Sequence, residues 1–169
     1  GRPVSPKLTP DGKHALFLRS APRDPTLKLY ELDLATGRER ELLTPAQLLG
    51  DTSESLSAEE KARRERMRVS ASGLVSFQLS KDGSKLLLPF GGRLHLLDRA
   101  SGAVQELPVQ GTLIDPRFSP AGTHISFVRD HDLWVYDLRS RKEVRVTQGG
   151  TEAVSHGEAE FVAQEEMGR

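Results

Sequence analysis

Three stretches decide the fold: "KLTPDGKHALFL" (7–18), "QLSKDGSKLLLPF" (78–90) and "RFSPAGTHISFV" (117–128). Each reads as an apolar residue, Ser or Thr, two residues, Gly, two residues, and then an apolar run. Gly12, Gly83 and Gly122 anchor the pattern, with 71 residues between the first two and 39 between the last two. The segments C-terminal to the anchors also recur. "LKLYELDLATGRERELLT" (27–44), "GRLHLLDRASGAVQELP" (92–108) and "DLWVYDLRSRKEVRVTQ" (132–148) each give a strand ending in Asp, a tight turn and a second short strand. Asp33, Asp98 and Asp137 hold matching places, where a carboxylate accepts local backbone hydrogen bonds. Gly37 and Gly102 supply the positive φ that such a turn needs. The third copy carries Arg141 near that place, so its turn is expected to differ.

Each unit thus holds four short strands punctuated by Gly, Asp and Pro, at about 40 residues per unit, the arithmetic of a β-propeller blade. The runs "KLLLPF" and "DLWVYDL" do not alternate cleanly, as expected of strands with two buried faces. A sandwich of short strands predicts no 39-residue self-match. The expected fold is all-β: a partial β-propeller of about three four-stranded antiparallel blades with a short helical insert. The blades are expected at about 3–44, 73–108 and 112–148 of one domain, residues 1–169. Three blades do not close a ring, which takes about four to eight. Opening on Gly1 rather than Met, the chain reads as an excised or processed piece.

Composition narrows the function. The 24 basic and 24 acidic residues cancel, so no net field favours nucleic acid or an anionic membrane. No apolar run approaches the ~20 residues of a membrane span. There are no cysteines, hence no disulfides and no thiolate metal sites. His14 and His124 share a repeat position that holds Lys85 in the second unit, which marks a wet strand start rather than a ligand. His95 and His131 have no partner at metal spacing, and His156 could orient something near the acidic end. No nucleophile elbow, phosphate loop or dinucleotide fingerprint is present. No cofactor, metal or catalytic residue is therefore expected.

The 71-residue interval exceeds one repeat by 32, mostly within an insert at 45–72. In "TPAQLLG" (44–50), Thr44 reads as N-cap, Pro45 as first helical residue and Gly50 as terminator of a one-turn helix. In "SLSAEEKARRERMR" (55–68), Ser57 and Glu60 form a capping box. Glu59 and Glu60 at its start and Arg64, Arg66 and Arg68 towards its end complement the helix dipole. Its apolar residues are few (Ala58, Ala62 and Met67), so the helix is expected to project from its blade or to lie across the propeller's mouth. The chain ends on "HGEAEFVAQEEMGR" (156–169), whose residues 158–169 lack strand alternation and read as helix-like. Adjacent acids on a helix diverge by ~100° and share a partner only where the helix end faces a cavity.

Taken together, "GEAEFVAQEEMGR" and the insert "LSAEEKARRERMR" resemble the dipeptidyl peptidase IV family of serine peptidases, nearest to bacterial members and the dipeptidyl peptidase 8/9 branch. The S-P-D-G blade turns are shared with other propellers; the E-F-V-x-Q-E-E segment and Arg-rich insert are much more specific. The resemblance implies an eight-bladed propeller capping an α/β-hydrolase domain of the same polypeptide, which carries the Ser-Asp-His triad outside this chain. It implies a peptide substrate whose free N-terminal amine is held by Glu165 and Glu166, and whose backbone carbonyl is held by an arginine of the insert, Arg64 first and Arg66 second. It favours a periplasmic or secreted location over a cytoplasmic one and leaves homo-oligomerisation open. The alternative is a non-catalytic TolB-like propeller serving as a protein-interaction module, which gives no reason for the insert or for the paired glutamates.

Overall fold

The computed structural model describes residues 1–49, 73–111 and 113–151. They form three four-stranded antiparallel sheets, each built from strands consecutive in sequence. The first holds β1 (Val4–Leu8), β2 (His14–Ala21), β3 (Asp24–Asp33) and β4 (Glu39–Leu43). A single-turn helix, α1 (Pro45–Leu49), comes next. The second sheet holds β5 (Gln78–Leu79), β6 (Lys85–Phe90), β7 (Arg93–Asp98) and β8 (Val104–Glu106). The third holds β9 (Ile114–Phe118), β10 (His124–Arg129), β11 (Asp132–Asp137) and β12 (Lys142–Arg145). The chain divides into two compact units, residues 1–107 and 108–169.

The turns recur in backbone conformation and in their main hydrogen bonds. Between the first two strands of each sheet, Gly12, Gly83 and Gly122 adopt φ of 68°, 76° and 70°. Their N–H groups donate to Thr9, Ser80 and Ser119 carbonyls at 2.8–2.9 Å. The hydroxyl at that Thr or Ser accepts from the first strand residue after the turn, His14, Lys85 or His124, at 3.0–3.1 Å. In the first two sheets Asp11 and Asp82 add a carboxylate that takes the hydroxyl proton and one more backbone N–H. The third sheet has Ala121 at that place, and Ser119 Oγ alone serves both Thr123 and His124.

The second turn of each sheet is closed by Asp33, Asp98 and Asp137, each accepting local backbone N–H bonds. The expectation that Arg141 would change this turn is corrected. Arg141 takes φ of 59°, beside 70° for Gly37 and 74° for Gly102. Its N–H donates to Asp137 O at 2.9 Å, as Gly37 and Gly102 do to Asp33 and Asp98 at 2.8 Å. The closed Asp turn imposes the left-handed conformation, and a non-glycine residue bears its steric cost.

The two turns of each sheet are also stitched together, Leu34 N–H to Lys13 O, Arg99 N–H to Ser84 O and Leu138 N–H to Thr123 O, at 2.9–3.0 Å. Register then sets His14 opposite Asp33, Lys85 opposite Asp98 and His124 opposite Asp137. His14 and His124 ring nitrogens stand 3.8 and 3.6 Å from their carboxylates. The position that accepts either His or Lys is therefore partnered by an acid across the ladder.

The core of the 1–107 unit lies where the first two sheets pack. Leu16, Leu18 and Leu29 of the first sheet meet Leu86, Leu88, Phe90 and Leu97 of the second, with Leu43, Leu49 and Leu74. β6 explains its unbroken apolar run, since Leu86, Leu87 and Leu88 are all fully buried. In the 108–169 unit Ile125, Phe127, Val128 and Tyr136 are buried. β1 and β9 each break register at a bulge just before a proline, with Ser5 at φ 52° and Asp115 at φ 49°.

Replacing Arg141 by Gly removes a left-handed penalty of about 1–2 kcal/mol at the cost of some unfolded-state entropy. A thermal melt is expected to rise by about 1–4 °C, and an unchanged or lower midpoint would refute the strain.

Candidate functional site

The insert and the acidic terminus carry the residues singled out from sequence. Arg64 and Arg66 fall within 50–72, and Glu165, Glu166 and His156 within 152–169, outside the described residues. The second helix expected at 55–68 and the acidic segment 158–169 lie there too.

What is described is how both segments are rooted. Entry to the insert is α1, whose start is fixed as the sequence predicts. Gln47 N–H donates to Thr44 Oγ1 at 3.3 Å, while Thr44 N–H donates to Gln47 Oε1 at 2.8 Å. This is a reciprocal capping box with Pro45 at the first helical position, and Leu49 enters the core at its end. The return is clamped on β3. Gly73 forms a parallel bridge with Leu27, and Leu74 N–H donates to Leu27 O at 3.0 Å. Gly73 has φ of 102°, and a Cβ there would run into Leu27 backbone nitrogen, so no other residue fits.

The acidic terminus leaves from Gly150, which is held by Asp132. This carboxylate is fully buried. It pairs with Arg145, accepts from Thr147 Oγ1 at 2.8 Å, and accepts from Gly150 N–H at 3.2 and 3.3 Å. Enclosure raises its pKa, but the donors from Arg145, Thr147 and Gly150 outweigh that and hold it below the ordinary value. Beside it Arg129 forks onto Glu143 with two bonds of 3.1 Å and lies 4.0 Å from the Trp134 ring centre.

A second charged cluster joins the first two sheets. Glu31, almost fully buried, takes Arg40 Nε at 2.9 Å on Oε1. Arg99 Nε stands 2.8 Å from Oε2 as an ion pair whose N–H is not aimed along that line. Arg99 also donates to Gly83 O at 2.6 Å and lies 3.5 Å from His14 Nδ1. These contacts span 68 residues of sequence from Glu31 to Arg99 and carry no periodic signal, so sequence reasoning missed them.

Neither cluster has the form of a catalytic centre. Asp132 is taken up by Arg145, Thr147 and Gly150, and Glu31 is ion-paired with Arg40 and Arg99. His95 is buried beside Phe90 and opposite Leu88, and burial, partly offset by Glu106, lowers its pKa. Among the described residues no group of three His, Cys, Asp or Glu could hold a metal ion. A hollow of about 520 Å³ on the second sheet is lined by Lys85, Leu96, Asp98, Ser101 and Gln105, with its one cation already opposite Asp98. No described helix is long and apolar enough to cross a membrane.

Comparison with known proteins assigns the chain. Residues 80–169 match the family described as the dipeptidyl peptidase IV (DPP IV) N-terminal region. The chain belongs to that family. It is 28% identical over 189 aligned positions to human dipeptidyl peptidase 8, covering 95% of this chain and 21% of that one. Against the mouse enzyme the figures are 27%, 96% and 22%. The chain thus spans about a fifth of the length of these curated relatives. Among solved structures, dipeptidyl peptidase 4 of Porphyromonas gingivalis aligns with a TM-score of 0.63 at 23% identity, over 98% of this chain and 22% of that one. The β-propeller domain of the Trilobed protease of Pyrococcus furiosus aligns at 0.57 and 16% identity, over 86% and 43%. TolB of Acinetobacter baumannii aligns at 0.56 and 20% identity, over 89% and 33%. These likenesses establish the fold, and the three sheets are blades of a β-propeller without a closed ring.

The geometry yields two stability tests. Removing one partner from the Glu31 cluster leaves buried charge uncompensated, so Glu31→Ala is expected to cost about 3 kcal/mol in urea unfolding, while Glu31→Leu with Arg99→Leu recovers much of it. Additive losses would show that the pair is uncoupled. In the turns, hydrogen bonds from Ser84 and Ser80 lower the Asp82 pKa from 3.8 to about 2, and Asp11, Asp33, Asp98 and Asp137 are lowered too. A carboxylate with a depressed folded pKa stabilises above its unfolded value and loses that contribution as pH falls through the folded one. Stability is therefore expected to drop between about pH 4 and pH 2, and Asp82→Asn to flatten that drop.

Proposed function

We propose that this chain is the substrate-binding propeller portion of a serine dipeptidyl peptidase, which anchors the free N-terminus of a peptide while a hydrolase domain elsewhere in the polypeptide cuts it. One observation carries the reading: the family match runs through residue 169 and so takes in Glu165 and Glu166. The similarity to dipeptidyl peptidase 8 over 95% of the chain supports it and takes in the insert bearing Arg64 and Arg66.

The chemistry suits those roles. Two carboxylates in an enclosed chamber repel one another, and a substrate ammonium relieves that repulsion with short charge-assisted hydrogen bonds. A blocked terminus would leave the charges unpaired, at the cost of their desolvation. The site then selects free amines. It also measures length: at ~3.3–3.6 Å per extended residue, an amine held at fixed distance from a nucleophile admits about two residues. A guanidinium fork from Arg64 or Arg66 holds the substrate carbonyl better than an ammonium would. The described anchors give both segments fixed roots, Leu49 and Gly73 for the insert and Gly150 for the acidic terminus.

In the full-length enzyme, Glu165→Ala or Glu166→Ala is expected to lower kcat/KM on a free-amine dipeptide substrate by about 30-fold or more, since stripping one partner from a buried charge pair costs about 2 kcal/mol or above. Activity on an amine-blocked analogue would change little. Near-normal kcat/KM in either variant would refute amine anchoring. Arg64→Ala is expected to lower turnover more than Arg66→Ala, and the reverse order would move the carbonyl contact to Arg66.

A further inference from the structure

Register places equivalent side chains at one spot on each central hairpin. Phe17 stands opposite Tyr30, Phe127 opposite Trp134, and Leu88 opposite His95. Tyr30, Trp134 and His95 are thus equivalents, each the third residue before a turn Asp. In the first and third sheets a guanidinium covers the aromatic ring. Arg19 lies 4.6 Å from the Tyr30 ring centre and Arg129 4.0 Å from that of Trp134. Each arginine forks onto a glutamate, Glu39 or Glu143, so a positive charge is at home there. The second sheet is built differently. Phe90 takes the place of the arginine, and Val104 that of the glutamate.

His95 is 5% exposed, shares its face with Leu88, and has its ring centre 6.3 Å from that of Phe90. Among the described residues its Nδ1 has no hydrogen-bond partner. The charges that act on the ring are Glu106, its cross-strand neighbour on β8, and Arg93 on β7, which stand 3.6 Å apart as an ion pair. The first sheet meets this face with Leu16, Leu18 and Leu29, and its buried Glu31 is already paired with Arg40 and Arg99. Burial lowers the pKa of the ring, and Glu106 and the Leu88 backbone offset only part of that. Protonation therefore works against the folded second sheet, at the very place where the other two hold a paired cation.

We propose that His95 is an acid trigger: at mildly acid pH a proton enters its ring when the β6–β7 hairpin opens, holds the hairpin open, and loosens the roots of the insert that share its core. Leu49 and Leu74, at the entry and return of the insert, belong to the same buried cluster as Leu86, Leu88, Phe90 and Leu97. Leu74 also carries the N–H that closes the return on Leu27. A ring that binds its proton more weakly when folded leaves stability intact above the ordinary imidazole pKa of 6.5. Below it the open fraction grows by at most about tenfold per pH unit, until the folded pKa is reached. The device belongs to the fold and needs no particular ligand.

The test is amide hydrogen exchange in the full-length protein at about pH 7.5 and about pH 5.5, corrected for the intrinsic rate at each pH. Protection across β6–β7 and at Leu74 is expected to fall about threefold or more at the lower pH. His95→Phe puts an apolar ring in the same space and is expected to abolish the fall. A smaller fall in the unaltered protein, or an equal one in His95→Phe, would overturn the proposal. A fall confined to β6–β7, with Leu74 unchanged, would overturn the link to the insert. Should His95→Phe fail to fold, His95→Gln serves in its place: it keeps a polar side chain but cannot titrate, so persistence of the fall in that variant would likewise sink the trigger.

Discussion

Each sheet of this protein is organised by a pair of turns at one end, held shut by oxygen acceptors contributed from within the turn itself. A Ser or Thr hydroxyl caps the first, and an Asp carboxylate caps the second. A backbone hydrogen bond, such as Leu34 N–H to Lys13 O, ties the two together. With both turns fixed, the register of the two central strands has no freedom to slip, and a slip of one residue would turn every core leucine outward. The burial of Leu16, Leu29, Leu86 and Leu97 therefore depends on a few short polar contacts at the rim. Loss of Asp at position 121 shows the tolerance of the device: one hydroxyl takes over two donors, and the turn keeps its shape.

Those rim contacts were legible in the sequence because they are local. Gly12, Gly83 and Gly122 repeat at fixed offsets from a Ser or Thr, and Asp33, Asp98 and Asp137 recur at strand ends, so sheet count, strand order and α1 could be read directly. Arg141 was not legible, since nothing in an arginine advertises positive φ; only the closed Asp turn around it forces the conformation. Nor was the Glu31–Arg99 pair, whose members look like ordinary surface charges on separate repeats until packing brings them together. For the functional residues the situation is different. Glu165, Glu166, Arg64 and Arg66 were singled out by resemblance rather than by period or spacing. The family match over residues 80–169 supports the resemblance, and the roles of these residues are proposals that rest on it.

The two segments that bear the proposed contact residues are rooted in the described sheets. The insert is tied at both ends to the first sheet, through Leu49 in the core and Gly73 against Leu27. The acidic terminus starts from a glycine held by the most thoroughly enclosed carboxylate among the described residues. Both anchors use glycine where a backbone passes too close for any side chain.

The bulges in β1 and β9 bear on solubility. A sheet whose outermost strand is long and regular offers a row of free N–H and C=O groups, on which a foreign strand can zip and seed aggregation. Ser5–Pro6 and Asp115–Pro116 bend that strand out of line, and each proline deletes a donor from the row. The second sheet has Phe77 instead. It keeps its outer strand to two residues, Gln78 and Leu79. The Phe77 carbonyl is occupied by the ammonium of Lys7 at 2.5 Å. A repeat protein faces the hazard of mispairing with its own near-copies, and here each sheet blunts its margin without giving up the ladder behind it.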